Sequence, residues 1–158
     1  MKIANGTKCQ TLRRANQMKT LEGVARQPGI AIAMAAVVDA KRGINAVSPA
    51  LLQEGISALR RAATPDDYPE AIVACDSLAV GASTRIPGIN MVGIAAESDE
   101  DAAGLEIESP CVIGVPDLLK SISEGDILIV DGYRGQVHID PDPYTIMHYQ
   151  QAQERRNL

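Results

Sequence analysis

Residues 125–141 have the sequence GDILIVDGYRGQVHIDP, which predicts a β-hairpin. The apolar run at residues 127–130 has the length of a buried strand, and residues 136–139 alternate polar and apolar side chains as a half-buried strand does. Residues 131–135 between them include two glycines, which adopt the positive φ angles of tight hairpin turns without steric cost. A helix is predicted to follow, from residue 144 to about residue 156.

Further strands are predicted upstream of this hairpin. The apolar run at residues 30–38 is typical of a strand buried on both faces, and residues 71–74, 91–94 and 110–114 are shorter runs of the same kind. Predicted helices separate several of these strands. The order of elements therefore predicts the α/β class.

The helix with the clearest local signals follows Ser48. Ser48 is a favourable N-cap residue and Pro49 is suited to the first helical position. Leu51, Leu52, Ile56 and Leu59 are predicted to form one apolar stripe on this helix.

Two further helix starts are predicted from capping residues. One is a small helix over residues 76–83, capped by Asp76 or Ser77. The other begins at Ser98, where Asp99, Glu100 and Asp101 would place negative charge in the first turn.

Composition excludes several classes of protein. The 158 residues include four tyrosines but no Phe or Trp, so no aromatic platform for stacking bases is available and nucleic-acid binding is not expected. The longest apolar run is too short to span a membrane, and no secretory signal is recognised. Cys9, Cys75 and Cys111 are widely spaced, as free thiols in a reducing cytoplasm would be. Only two histidines are present, so a metal site with nitrogen ligands is not expected, and no cofactor is predicted.

Charge divides the chain into two parts. The net charge is −5, yet the basic residues Lys2, Lys8, Arg13, Arg14 and Lys19 all precede the first acidic residue, Glu22. We therefore predict a basic N-terminal arm over residues 1–20 and a folded domain over residues 21–158.

Two segments resemble the phosphohistidine domain of phosphoenolpyruvate-utilising enzymes, most closely enzyme I of the bacterial sugar phosphotransferase system. Residues 23–31, GVARQPGIA, are similar to the segment G-h-x-A-S-P-G-I-A that opens enzyme I, and residues 125–141 resemble its G-D-x-h-h-V-D-G-x-x-G-x-V-x-x-N-P tail. Residues 109–114 are similar to its L-P-A-h-V-G. The resemblance covers about residues 23–149 and implies a single swivelling β/β/α domain.

The same resemblance implies that the family's chemistry is lost. Enzyme I carries a helical subdomain that binds its carrier protein, whereas here residues 49–62 leave room for one helix. The family's phosphorylated histidine lies in G-G-x-x-S-H-x-x-h-x-A-R, and the corresponding segment here has no histidine. It contains Glu97, Ser98, Asp99, Glu100 and Asp101, whose carboxylates would repel a phosphoryl donor.

Three functional hypotheses follow. The leading one is a non-catalytic module for protein binding, regulation or assembly, with an unidentified protein partner and self-association as a further expectation. The second is a phosphoryl carrier that uses a relocated acceptor, His138 or His148, although both are expected to be structural or solvent-facing. The third is a small-ligand or metal binder that uses the acidic segment beginning at Glu97.

Overall fold

The computed structural model describes residues 18–100 and 104–156, with the side chains of residues 43–45 left out. Its strands are β1 (Lys19–Glu22), β2 (Val24–Gln27), β3 (Ile30–Val38), β4 (Glu70–Ser77), β5 (Asn90–Ser98), β6 (Cys111–Ile113), β7 (Ile127–Asp131) and β8 (Gln136–Ile139). Its α-helices are α1 (Pro49–Arg61), α2 (Leu78–Ser83), α3 (Leu118–Ser121) and α4 (Pro143–Arg156). The predicted α/β class is confirmed, and β7 and β8 form the predicted hairpin.

The strand with the longest apolar run, β3, is central to the sheet. It pairs in parallel with β4 and antiparallel with β7, and the full order is β1-β8-β7-β3-β4-β5-β6-β2. Strands β3, β4, β5 and β6 are parallel to one another in that order. Their carboxyl ends therefore meet at one edge of the sheet.

Strands β1 and β2, which stand first and last in the order of the sheet, are joined by a single residue, Gly23. Strand β1 pairs with β8, while β2 pairs with β6 at the other end of the sheet. Residues 19–27 thus form one bent strand that closes the sheet into a barrel. A Cβ atom on Gly23 would collide with the Ile113 carbonyl oxygen, so glycine is required where the bend passes β6.

The barrel interior is filled by small and aliphatic side chains. Its core cluster combines alanines of β3, β4 and β5 with larger residues of β4, β6, β7, β8, α3 and the segments that flank α3: Ala31, Ala35, Ile72, Ala74, Ala95, Val112, Val115, Leu118, Ile122, Leu128, Val130, Val137 and Ile139. A second cluster, which includes Leu78 of α2, packs on the outer face of β4 and β5.

Helix α1 is capped as predicted, because the Ser48 hydroxyl accepts a hydrogen bond from the Leu51 backbone N–H at 3.2 Å. Its predicted apolar stripe is only partly buried. The buried residues are Leu51, Gly55 and Ala58, and Gly55 lies directly against the Pro87 carbonyl. Leu52, Ile56 and Leu59 are exposed instead, because the close approach at Gly55 turns the helix about its axis.

The prediction that a helix starts at Ser98 is wrong for the residues that the structure describes. Strand β5 continues through Ser98, which pairs with Ser77 of β4, and residues 104–110 are not helical. Residues 101–103 lie outside the described residues. Of the predicted arm, residues 1–17 also lie outside them, while Lys19 and Thr20 belong to β1. None of the described helices has the length and apolarity needed to cross a membrane.

Candidate functional site

Three carboxylates lie side by side where strands β3, β4 and β5 end. The register aligns Val38 with Cys75 and Cys75 with Ala96. The residues that follow them, Asp39, Asp76 and Glu97, therefore form a row across the edge of the sheet. Because side chains alternate between faces, this row shares its face with the strand residues that line the barrel interior.

Each carboxylate in this row accepts a hydrogen bond from a backbone amide. Asp39 Oδ1 accepts from the Lys41 N–H at 3.0 Å, and Asp76 Oδ1 accepts from the Ala40 N–H at 2.9 Å. Glu97 Oε2 accepts from the Leu119 N–H of α3 at 2.9 Å. Asp76 therefore binds the turn after β3, and the N-cap residue of α2 is the other predicted candidate, Ser77, whose side chain makes no capping hydrogen bond.

These hydrogen bonds between carboxylates and backbone amides disfavour the binding of an anion at the carboxyl ends of β3, β4 and β5. Phosphate sites in proteins are built from backbone N–H groups that have no other partner, often at the start of a helix. Here the Leu119 amide is taken by the carboxylate of Glu97 and Asp76 adds negative charge, while Arg42 Nε lies 3.6 Å from Asp39 Oδ2 and offsets the charge of that carboxylate. The arrangement satisfies the backbone internally and opposes a bound phosphoryl group.

The rest of the predicted acidic segment is a surface turn. Ser98 Oγ accepts a hydrogen bond from the Glu100 N–H at 3.1 Å, while Asp99 and Glu100 are exposed. Asp101 lies outside the described residues. Over residues 18–100 and 104–156, no group of three or more His, Cys, Asp or Glu side chains is arranged to hold a metal ion.

His138 lies in a buried polar network on the outer face of β8, because its neighbours Val137 and Ile139 belong to the core cluster inside the barrel. Its Nδ1 is 2.9 Å from Thr20 Oγ1 of β1, and its Nε2 is 3.0 Å from Tyr149 Oη of α4. The Tyr149 hydroxyl donates to Asp131 Oδ2 at 2.8 Å. Because that hydroxyl proton is directed to Asp131, we assign the His138 proton to Nε2, which donates to Tyr149, and Nδ1 accepts from Thr20.

Asp131 anchors this network to the hairpin turn. Its Oδ1 accepts the backbone N–H groups of Tyr133 at 2.9 Å and Arg134 at 3.0 Å. The side chain of Asp131 thus makes three hydrogen bonds while the residue is only 3% exposed. The network joins β1, β7, β8 and α4, so its first effect is to stabilise the fold.

Burial sets the protonation of this network. It lowers the pKa of His138, an effect that the carboxylates of Asp131 and Glu22 oppose. It also raises the pKa of Tyr149 to about 12, and the hydrogen bond to Asp131 adds to this increase. A neutral His138 with both ring nitrogens occupied is poorly suited to attack a phosphoryl donor.

The lowered pKa of His138 predicts a pH dependence of stability. The unfolded chain takes up a proton near the ordinary histidine pKa of about 6.5, whereas the folded chain does so only at lower pH. The free energy of unfolding should therefore rise with pH across this window. Urea denaturation at several pH values should show that slope, and His138→Gln should remove it.

The control for that measurement is His148→Gln. His148 is exposed on α4, where its ring meets the edge of Tyr149 with centroids 5.4 Å apart. An unchanged slope in His138→Gln would contradict the assignment. The structure thus places the two predicted acceptor candidates differently, with His138 enclosed and His148 at the surface.

Sequence reasoning named Glu97 of the carboxylate row but did not find Asp39, Asp76 or the residues around His138. Thr20 and His138 are 118 positions apart, and only the closure of the barrel brings them together. The row had a local signal, because Asp39 and Asp76 follow apolar strand runs. Its meaning depended on the register between strands.

Comparison with known proteins relates this chain to the phosphotransferase system, although no protein-family model matches it. It is 28% identical over 113 residues to the phosphoenolpyruvate-protein phosphotransferase of Bacillus sp. (strain S), which covers 72% of this chain and 18% of the relative. It is 33% identical over 92 residues to a protein of Escherichia coli (strain K12) described as phosphoenolpyruvate-dependent phosphotransferase system, covering 54% of this chain and 12% of the relative.

A solved structure shares the fold. It is described as the N-terminal domain of Enzyme 1 - Nitrogen, and it superposes with a TM-score of 0.50 at 16% identity over 84% of this chain and 98% of that structure. The chain thus has the fold of an enzyme I N-terminal domain. It spans less than one fifth of the length of the curated relatives it matches.

Proposed function

We propose that this chain is a non-catalytic relative of the enzyme I N-terminal domain, acting as a module for protein binding, regulation or assembly. The observation that carries this proposal is the hydrogen bond from the Leu119 amide to Glu97 at 2.9 Å. A carboxylate of the chain itself occupies a backbone donor at the carboxyl ends of the parallel strands. An incoming phosphoryl group would have to displace that carboxylate and approach Asp76 as well.

The environment of His138 supports the same proposal. A phosphoryl acceptor needs a free ring nitrogen that can reach the donor, together with cations that stabilise the transferred oxygens. Both nitrogens of His138 are engaged, and the residue is 7% exposed. His148 is accessible, so it is the acceptor that the competing hypothesis of a phosphoryl carrier would use.

The proposal also covers location. Cys75 and Cys111 are free and buried, and burial raises the pKa of the Cys111 thiol to about 11. Free thiols are typical of a reducing compartment, so we propose a cytoplasmic location.

The proposal is tested by phosphoryl transfer from a complete enzyme I. The purified chain would be incubated with labelled phosphoenolpyruvate, magnesium and enzyme I, which is expected to become labelled itself. We expect no acid-labile label on this chain. Label that disappears in His148→Gln or His138→Gln would overturn the proposal and identify the acceptor of a phosphoryl carrier.

A further inference from the structure

Helix α1 presents an apolar face to solvent. Leu52, Ile56 and Leu59 are 42%, 42% and 45% exposed. Their spacings of four and three residues place them on one side of the helix. Single exposed aliphatic residues are common, but three in a row on one helix form a patch of the kind found at protein interfaces.

We propose that this face, defined by Leu52, Ile56 and Leu59, binds the same face of a second copy of the chain. The two α1 helices would lie antiparallel across a two-fold axis near Ile56. Leu52 of each copy would then contact Leu59 of the other. This inference rests on the proposed function in one respect, since it names the partner of the assembly module.

The distribution of charge along α1 favours a second copy as that partner. The last turn of the helix carries Arg60, which follows Ile56 by four residues on this side of α1 and forms no ion pair within the described part of the chain. At the other end, the Ser48 hydroxyl donates a hydrogen bond to Glu124 and holds that carboxylate beside the first turn. One end of the face is therefore basic and the other acidic.

Antiparallel pairing makes this face complementary to itself. A two-fold axis brings the basic end of each helix to the acidic end of its partner, and it does so twice. A parallel arrangement would instead place Arg60 beside Arg60 of the second copy.

The size of the face sets the strength of the dimer. Helix α1 has 13 residues, which corresponds to a length of about 20 Å. A pair of such helices buries an area at the low end of specific interfaces, below about 1,200 Å² in total. The dimer should therefore form reversibly and depend on protein concentration.

Sedimentation velocity of the full chain over a range of concentrations tests this proposal. The wild-type chain should pass from monomer to dimer as concentration rises. Ile56→Glu would place two carboxylates together at the two-fold axis and should weaken the dimer at least about tenfold. The matched control is Ala50→Glu, which adds the same charge at an exposed position on the opposite side of α1 and should leave the dimer intact.

The arrangement of the helices is tested by reversing charges. Arg60→Glu and Glu124→Arg should each weaken the dimer, and the double variant should restore it. A chain that stays monomeric, or a dimer that Ile56→Glu does not affect, would overturn the proposed interface. Single variants that weaken the dimer with no recovery in the double variant would overturn the antiparallel arrangement.

Self-association and phosphoryl transfer are separate readouts. A monomeric chain that accepts no phosphate would overturn the dimer and leave the non-catalytic function standing. A dimeric chain that accepts phosphate would overturn the function and leave the interface standing. Circular dichroism of each variant checks that the fold is retained.

Discussion

Replacing Asp131 by alanine is expected to lower the free energy of unfolding by more than about 3 kcal/mol. Its buried carboxylate accepts hydrogen bonds from the Tyr149 hydroxyl and from the Tyr133 and Arg134 amides. Hydrogen bonds to charged groups contribute roughly 1.5–3 kcal/mol each, and the buried Tyr149 hydroxyl and the part-buried Tyr133 and Arg134 amides would lose this acceptor. Urea denaturation of the variant and the wild type measures the difference.

Tyr149→Phe is the graded control for this prediction. It removes the hydroxyl that bridges Asp131 and His138 but leaves the two turn amides bonded to Asp131. The expected loss is smaller, roughly 1.5–3 kcal/mol. If Asp131→Ala cost less than about 1 kcal/mol, the network would not stabilise the hairpin and α4 as described.

Replacing Gly23 by valine is expected to cost about 3 kcal/mol or more, because it acts on the strand that closes the barrel. A Cβ atom at this position would collide with the Ile113 carbonyl oxygen and lie 2.8 Å from Val115 Cγ2 and 2.9 Å from Val112 Cγ1. A backbone oxygen of a paired strand cannot move aside as a flexible side chain can. Thermal denaturation should show the loss of stability or a failure to fold.

The control for this substitution is Gly125→Ala. Gly125 has a φ of 89° and no atom within 4 Å of the position that a Cβ atom would take, so Gly125→Ala creates no steric clash. It should lower the free energy of unfolding only by the cost of a left-handed backbone conformation in alanine, about 1–2 kcal/mol. If Gly23→Val were no more destabilising than Gly125→Ala, residues 19–27 would not close the barrel.

The elements that the sequence predicts well are those whose signals are local. The run over β3 is apolar on both faces, and the hairpin of β7 and β8 has its glycines between two strand patterns. Ser48 and Pro49 likewise mark the start of α1. In each case the residues that determine the element lie within it or beside it.

Barrel closure had no such signal. Residues 19–27 read KTLEGVARQ, which has neither the apolar run of a buried strand nor a clear alternation. They form strands because β8 and β6 each offer an unpaired edge, and those edges are more than 80 positions away along the chain.

The helix predicted at Ser98 fails for a related reason. Ser98 and the acids after it have the composition of a helix start, but β5 gains a further pair with β4 by continuing through Ser98. Pairing between strands here overrides a local capping preference.

At α1, the approach of Gly55 to Pro87 determined which apolar residues are buried, and the sequence pattern alone does not contain that contact.

Phosphoryl transfer to the chain is tested most directly by its intact mass after incubation with phosphoenolpyruvate, magnesium and a complete enzyme I. The sample would be kept at alkaline pH to preserve phosphohistidine. With Glu97 on the Leu119 amide and His138 enclosed by Thr20 and Tyr149, we predict a single unchanged mass. A species heavier by one phosphoryl group would contradict this prediction and make the chain a phosphoryl carrier.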